Sequence, residues 1–263
     1  MRDIHDISSE EAHSIGYVLT DIDDTLTKDG RLLKGSYSAL WDLRDSGISV
    51  IPVTGRPAGW CDMIIREWPV DAVVGENGAF VYYWDSGRIA TFYHPEADRD
   101  SLPKRFDALK RAVFSEVPDA RIARDQFCRI FDLAIDFNED PPHLGFEAAE
   151  KIRAVCERFG AHAKVSSIHV NTWFGDYDKR ATATLFLSER YDLSIEEQKG
   201  HVLFCGDSPN DEPMFEFFPL SVAVANISVF SSMLKHLPTF ITRAAYGFGF
   251  EEMTATILYA RRG

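Results

Sequence analysis

Short apolar segments that run directly into polar loops constrain the fold of this chain more than any other feature. Three of them cover residues 16–20, 48–53 and 201–205. Between the first two, residues 35–46 carry apolar side chains at helical spacing, and Pro57 suits the first turn of a helix over 57–67. Alternating strands and helices predict right-handed crossovers and a mostly parallel sheet, which makes this an α/β protein.

The middle of the chain follows a different order. After strands at 72–74 and 79–83, the pattern over 85–172 predicts strands at 89–93, 131–137 and 163–173, with helices at 100–116 and 144–159. The strand–helix alternation then resumes with a helix at 178–190 and ends with a helix at 250–261. We therefore predict a core domain formed by residues 1–84 and 173–263, interrupted by a small α+β domain over 85–172.

The charge balance narrows the range of binding partners. The 263 residues include 28 basic and 41 acidic side chains, for a net charge of −13. Such a field repels nucleic acid and anionic membranes, and no apolar run is long enough to span a bilayer. The four cysteines are far apart without a CxxC pattern, which predicts neither disulfides nor a zinc site and favours a reducing, cytoplasmic setting. Residues 1–14 are polar and are expected to form a solvated tail or a first turn.

The sharpest motif is the acidic loop from Asp21 to Thr27, which follows the first apolar segment. Alternation along an extended strand end places Asp21 and Asp23 on one side, where two carboxylates repel each other unless a cation or a proton intervenes. The loop matches the early positions of an EF-hand, but the sixth position there requires glycine and here is Leu26. The carboxyl end of a parallel strand is where α/β proteins bind ligands.

Three further loops occupy equivalent positions after strands or before helices. The segment GDSPND, from Gly206 to Asp211, follows the strand at 201–205. The segment VTGRP, from Val53 to Pro57, offers a hydroxyl, a glycine N–H and a helix N-terminus, which together suit an oxyanion. Lys179 stands at the start of a helix. Each loop alone is typical of a turn or a solvated surface, but all of them lie at strand–helix junctions.

Taken together and in this order, the four motifs resemble those of the haloacid dehalogenase superfamily of aspartate-nucleophile phosphohydrolases. DIDDT matches DxDxT, VTGRP the second motif, Lys179 the third and GDSPND the fourth. The resemblance implies a Rossmann-like parallel-sheet core with an inserted α+β cap. The position of the insert resembles the larger cap of sugar-phosphate phosphatases, sucrose-phosphate phosphatase and phosphomannomutase. The GENGA turn over 75–79 also resembles that subgroup, whereas Arg180 stands where many relatives have glycine.

The resemblance also implies catalytic roles. Asp21 would attack phosphorus to form an aspartyl-phosphate, and Asp23 would act as general acid and then general base. The side chains and amides expected to hold the phosphoryl oxygens are those of Thr54, Gly55, Arg56, Lys179 and Asn210.

A Mg²⁺ ion is implied by the same resemblance. Asp21 and Asp207 would bind it through their side chains and Asp23 through its carbonyl, with Asp211 and Asn210 orienting them. The charge balance of the site also favours a divalent cation. The negative charge of four carboxylates and a phosphate monoester greatly exceeds the single positive charge of Lys179.

The insert is expected to choose the substrate, because the four motifs contact only the phosphoryl group. Ser167, His169 and Asn171 alternate along one predicted strand and would offer donors and acceptors to sugar hydroxyls; the alternative is a solvated strand face. The resulting hypothesis is a Mg²⁺-dependent phosphatase that hydrolyses a small phosphorylated metabolite, above all a sugar phosphate. Two alternatives remain open: a phosphomannomutase-like phosphotransferase and a non-catalytic Mg²⁺-binding regulatory module.

Overall fold

A computed structural model of the chain describes residues 1–166 and 168–263. Its strands are β1 (Arg2–Asp3), β2 (Tyr17–Thr20), β3 (Thr27–Lys28), β4 (Arg31–Leu32), β5 (Ser49–Pro52), β6 (Ala72–Gly75), β7 (Phe80–Asp85), β8 (Arg88–Tyr93), β9 (Arg121–Ile122), β10 (Asp132–Asp136), β11 (His162–Val165), β12 (His169–Trp173), β13 (Val202–Gly206), β14 (Leu220–Ala223) and β15 (Phe240–Ile241). Its α-helices are α1 (Ser9–Ser14), α2 (Lys34–Asp45), α3 (Ala58–Glu67), α4 (Leu102–Glu116), α5 (Gly145–Arg158), α6 (Lys179–Tyr191), α7 (Ile195–His201), α8 (Glu212–Phe217) and α9 (Gly247–Ala260).

The core is a parallel six-stranded sheet in the order β1-β15-β14-β13-β2-β5. Successive strand residues alternate between two apolar layers, as the pleat requires. Val18 and Val50 face the layer that contains α2, α3 and α9, while Leu19 and Ile51 face the layer that contains α6 and α8. The predicted Rossmann-like α/β core is therefore confirmed, with helices covering both faces of a parallel sheet.

An antiparallel ribbon and a second sheet complete the fold. The ribbon β6-β7-β8 adjoins the edge of the core sheet through a parallel bridge between Val53 and Val74. The second sheet is antiparallel, in the order β11-β12-β10-β9, and helices α4 and α5 cover one of its faces. We call this second sheet with its two helices the cap. The domain boundaries at 84 and 173 remain a prediction.

Two sequence-based expectations were wrong. The strand expected over 163–173 is a hairpin, in which β11 and β12 pair antiparallel, because Ser166 and His169 hydrogen-bond to each other and reverse the chain. Of the two forms expected for residues 1–14, the solvated tail is wrong, whereas the first turn agrees with a 3₁₀ turn over Ile4–Asp6 and with α1. β1 pairs with β15, and the side chains of Ile4 and Ala12 are fully buried against the core.

Within the described ranges, no helix combines the length and the apolar character that crossing a bilayer would require. All four cysteines carry free thiols.

The turn between β6 and β7 approaches the backbone at the start of α6 very closely. Gly78 has φ of 110°, and a Cβ built there would lie 2.3 Å from the carbonyl oxygen of Asp178, just before α6. We expect Gly78→Ala to lower the free energy of unfolding by about 3 kcal/mol, because backbone strain and overlap with backbone atoms both add.

The matched control is Gly160→Ala. Gly160 also has a positive φ, 72°, but a Cβ there meets no atom within 4 Å. We expect Gly160→Ala to lower the free energy of unfolding by about 1 kcal/mol, because only the left-handed backbone conformation is unfavourable for alanine there. Urea unfolding measures both values, and equal losses would contradict the close approach at Gly78.

Candidate active site

The site lies at the carboxyl ends of β2 and β13, which are neighbours in the core sheet. The backbone N–H of Asp21 donates to the carbonyl of Cys205 at 2.9 Å, so the pairing of the two strands continues into the loops. The acidic loop is tied to the other strand a second time, since the Thr25 hydroxyl donates to Asp207 Oδ1 at 3.2 Å. The first and fourth motifs are therefore held together by strand register.

The GDSPND loop folds around the carboxylate of Asp211. Its Oδ2 accepts the backbone N–H groups of Asp207 and Ser208 at 3.1 and 3.3 Å. Gly206 makes room for this arrangement, because a Cβ there would lie 2.6 Å from Asp211 Oδ2. The other oxygen, Oδ1, is buried and has no hydrogen-bond partner among the described residues.

Lys179 brings the one ammonium group into this cluster of carboxylates. It begins α6, whose N-cap, Asp178, accepts the N–H of Ala181 at 2.7 Å. The Lys179 Nζ atom lies 2.5 Å from Asp21 Oδ1 and 3.5 Å from Asp211 Oδ1. All of these ionised groups are buried, so their interactions are little screened by water.

The pKa values show the repulsion within the cluster. Burial, together with the negative charges of Asp211 and Asp23, raises the pKa of Asp21 to about 7, although Lys179 opposes the shift. Burial and the charges of Asp211 and Asp21 raise the pKa of Asp207 to about 9. The pKa of Lys179 is raised despite its burial, because of the neighbouring carboxylates. The cluster has more negative charge than Lys179 alone can compensate.

This donor set fits a divalent cation. One carboxylate oxygen from each of Asp21, Asp207 and Asp211 lies within 4.8 Å of the others, and the orphaned Asp211 Oδ1 is among the buried atoms that need a partner. Hard oxygen ligands of this kind suit Mg²⁺. The predicted ligand Asp23 does not place its carboxylate in this group.

Asp23 instead points toward solvent and forms an ion pair with Arg56. Its side chain is 57% exposed, and Arg56 Nη2 lies 2.6 Å from Asp23 Oδ1. Arg56 Nε lies 3.2 Å from both carboxylate oxygens, and its guanidinium stacks on Trp60 with 4.8 Å to the ring centroid. Arg56, which we predicted to bind phosphate, therefore holds the predicted acid/base at the mouth of the site.

The second motif lies opposite, at the end of β5. The Thr54 hydroxyl accepts the N–H of Arg56 at 3.1 Å. Two amide side chains lie close to Gly55: a Cβ there would be 3.0 Å from Asn77 Oδ1 and 3.4 Å from Asn171 Nδ2. Asn77 Nδ2 and Asn171 Oδ1 are buried without partners in the described part of the chain. Polar groups are therefore available around this loop for a ligand.

The side chains that were predicted to bind the substrate lie in different surroundings. The Asn171 side chain lies next to Gly55 of the second motif. His169 is buried, and its Nε2 lies 2.9 Å from Glu139 Oε2. Asn210 is exposed and borders a cavity outside the carboxylate cluster. Ser167 lies outside the described residues. Binding of substrate by these side chains remains a prediction.

Sequence reasoning missed two side chains that support the site. Asn226 Nδ2 donates to Asp207 Oδ2 at 2.9 Å. It follows β14, so the rule that ligands gather at the carboxyl ends of parallel strands would have found it. Glu76 is fully buried and accepts backbone N–H groups from Ala58 and from cap residues 130–132. No local pattern indicates that role.

The comparisons with known proteins agree with this geometry. A profile of haloacid dehalogenase-like hydrolases matches residues 18–114. The phosphoglycolate phosphatase of Methanobrevibacter smithii is 28% identical over 250 residues, which span 91% of this chain and 97% of that protein. Over residues 18–114, which contain the first two motifs, the chain is similar to haloacid dehalogenase-like hydrolases. It is an enzyme of the phosphatase type.

Two solved structures share the fold of this chain. A Thermoplasma acidophilum protein superimposes with a TM-score of 0.72 at 19% identity, covering 93% of this chain and 98% of that one. The Synechocystis sucrose-phosphatase, solved with sucrose and phosphate, gives a TM-score of 0.61 at 16% identity, covering 92% and 97%. The core and the cap are therefore both part of the shared fold.

The raised carboxyl pKa values predict how the metal-free phosphatase responds to pH. A carboxyl whose pKa is raised on folding binds protons in the folded state that the unfolded chain has already lost. The free energy of unfolding in EDTA should therefore fall as pH rises from 6 to 9, the range in which Asp21 and Asp207 ionise. Asp207→Asn removes one of these ionisations and should reduce the fall by at least about 2 kcal/mol.

Urea unfolding at the two pH values, with EDTA and with Mg²⁺, measures this effect. Mg²⁺ should restore the stability of the wild type at pH 9 and have a smaller effect on the variant. Parallel pH dependences for the two proteins would contradict the strained carboxylate cluster.

Proposed function

We propose that this phosphatase is a Mg²⁺-dependent phosphomonoesterase that acts on a small phosphorylated metabolite through an aspartyl-phosphate at Asp21. The observation that carries the proposal is the buried contact of Asp21 with Lys179 beside Asp207 and Asp211. A carboxylate is a weak nucleophile toward a phosphate dianion unless nearby charge is neutralised. The site supplies one ammonium group directly and a set of oxygen ligands for a cation.

Charge explains why a divalent ion belongs in the mechanism. The three buried carboxylates and Lys179 sum to about −2, and a phosphate monoester adds nearly −2 more. Asp21, Asp207 and Asp211 would hold Mg²⁺, which when bound neutralises the carboxylates and the phosphoryl oxygens. Asn226 and Thr25 hold the Asp207 carboxylate in place by hydrogen bonds to its two oxygens.

The chain's own residues then account for both chemical steps. An Asp21 oxygen forms a bond to phosphorus as the bond from phosphorus to the ester oxygen breaks, and the leaving alkoxide takes a proton from the Asp23 carboxyl. In the second step Asp23 accepts a proton from water, whose oxygen bonds to phosphorus and releases Asp21 and inorganic phosphate. Thr54, the Gly55 amide and Lys179 hold the phosphoryl oxygens.

The position of the Asp23 side chain fits the role of an acid/base. Its carboxylate is more than half exposed, so the ester oxygen of an entering substrate can reach it. Arg56 orients it through a two-point ion pair, and Trp60 in turn supports the guanidinium.

Two classes of substrate are supported by different observations. The cap position resembles that of sugar-phosphate phosphatases, and Asn171 offers an amide to hydroxyl groups. The relatives in Methanobrevibacter smithii and Methanoculleus marisnigri are named phosphoglycolate phosphatases, which favours a phosphorylated hydroxy acid. In both classes the ester is small and the reaction is the same.

Substitution of the nucleophile tests the proposal. Asp21→Asn should lower phosphate release from p-nitrophenyl phosphate and from a panel of small phosphate esters by at least about 10⁴-fold, because the amide cannot displace the alkoxide. EDTA should abolish the wild-type activity, and Mg²⁺ should restore it. Circular dichroism should show that the variant is folded.

Asp29→Asn is the matched control, since it removes a carboxylate from the loop region outside the buried cluster. It should retain wild-type activity. Activity of Asp21→Asn close to that of the wild type would contradict the nucleophile. Sugar-phosphate isomers formed without phosphate release would indicate the mutase instead, and a folded wild type inactive on every ester would indicate the regulatory module.

A further inference from the structure

A lysine of the cap lies on the face of the cap sheet that is turned toward the core. Lys164 lies on β11, directly opposite Asn171 of β12 in the antiparallel pairing. Directly opposed residues of such a pair project from the same face of the sheet. Asn171 reaches the second motif at Gly55, so this face is the one turned toward the core. The opposite face, which includes Val170, packs on helices α4 and α5.

The charges of the catalytic cluster act on Lys164. Its partial burial and the positive charge of Lys179 lower the pKa of its ammonium group, while Asp211, Asp178 and Asp21 raise it. Groups from the first, third and fourth motifs thus all lie within electrostatic range of a cap side chain. Lys164 therefore lies near the carboxylate cluster and not on the outer surface of the cap.

Lys164 also lines two cavities between the cap and the core, both next to the carboxylate cluster and not within it. One cavity, of about 470 Å³, is lined by Lys164 together with Tyr177, Asp178 and Arg180 from the segment that leads into α6. The other, of about 380 Å³, is lined by Lys164 together with Asn210 and Glu212 from the fourth motif and α8. The side chain thus stands between cap and core, where a bound molecule would touch both.

Other charged side chains on this face of the cap sheet already have partners. Asp132 pairs with Arg129 at 2.9 Å, Asp136 with Arg121 at 3.4 Å and His169 with Glu139 at 2.9 Å. In contrast, the ammonium group of Lys164 forms no hydrogen bond or ion pair with any residue in the described ranges. An ammonium group that has lost part of its hydration without gaining a counter-charge favours the binding of an anion.

We propose that Lys164 binds a carboxylate of the substrate, and that the substrate class is a short phosphorylated hydroxy acid. This inference rests on the proposed function, because it assumes that the phosphoryl group is bound at Asp21 and Lys179. The ester then spans the cleft, with its phosphoryl group on the core and its carboxylate on the cap. A neutral sugar would leave the ammonium group of Lys164 without a counter-charge, whereas a carboxylate supplies one.

Paired substrates separate this role from a general effect on catalysis. 2-Phosphoglycolate carries the carboxylate, and 2-hydroxyethyl phosphate has the same chain length with a hydroxyl in its place. Lys164→Gln should lower kcat/KM for 2-phosphoglycolate by about tenfold to a hundredfold, mainly through KM, because a charge-assisted hydrogen bond is lost. Its kcat/KM for 2-hydroxyethyl phosphate should stay within about twofold of the wild type.

Two further variants complete the design. Lys164→Arg keeps the positive charge and should recover part of the activity on 2-phosphoglycolate. Lys151→Gln makes the same change of charge on the exposed side of the cap helix α5, where Lys151 pairs with Glu147 at 2.9 Å. It should leave both substrates unaffected. Thermal unfolding of each variant checks that the cap remains folded.

Three outcomes would overturn the proposal while leaving the proposed function intact. Lys164→Gln could lower activity on both esters equally, or on neither, or the wild type could prefer glucose 6-phosphate or 2-hydroxyethyl phosphate to 2-phosphoglycolate. A different result would contradict the proposed function itself, and this inference with it: a folded wild type that releases no phosphate from any ester in the presence of Mg²⁺.

Discussion

Electrostatic repulsion among three buried carboxylates is the constraint on which the site depends. Asp21, Asp207 and Asp211 are held together by strand register and by the folding of the GDSPND loop, and not by mutual attraction. Lys179 compensates only part of their charge, which is why the pKa values of Asp21 and Asp207 are raised. The parallel core provides the rigid frame that maintains this arrangement, and a bound cation would relieve it. The repulsion among these carboxylates thus lowers the stability of the fold at the place where negative charge is concentrated.

The junction between core and cap depends on a second buried acid. Glu76, in the turn after β6, accepts backbone N–H groups from cap residues 130–132 and from Ala58 at the start of α3. One carboxylate therefore fixes the cap segment and the helix of the second motif to the same point. Arg129, beside that segment, donates to the carbonyl of Gly55 at 3.2 Å. This junction brings the polar face of the cap sheet, with Asn171, over the loop of the second motif.

The sequence predicted those parts of the structure that depend on local patterns. The strands of the core and the loops after them could be recognised because apolar strands and turn-forming residues are neighbours in the chain. The hairpin of β11 and β12 was read as one strand because alternation is the same on both sides of a turn. Glu76 and Lys164 could not be identified, since their roles come from contacts with residues that are distant in sequence.

Direct detection of the phosphorylated residue tests the central claim, that Asp21 is the nucleophile. The wild type with Mg²⁺ would be mixed with a ³²P-labelled ester that it hydrolyses, quenched in acid within milliseconds and digested for mass spectrometry. The account predicts label on the peptide that contains Asp21, appearing and decaying with single-turnover kinetics and released by hydroxylamine. Full turnover of the ester without label on Asp21, or with label on another side chain, would contradict it.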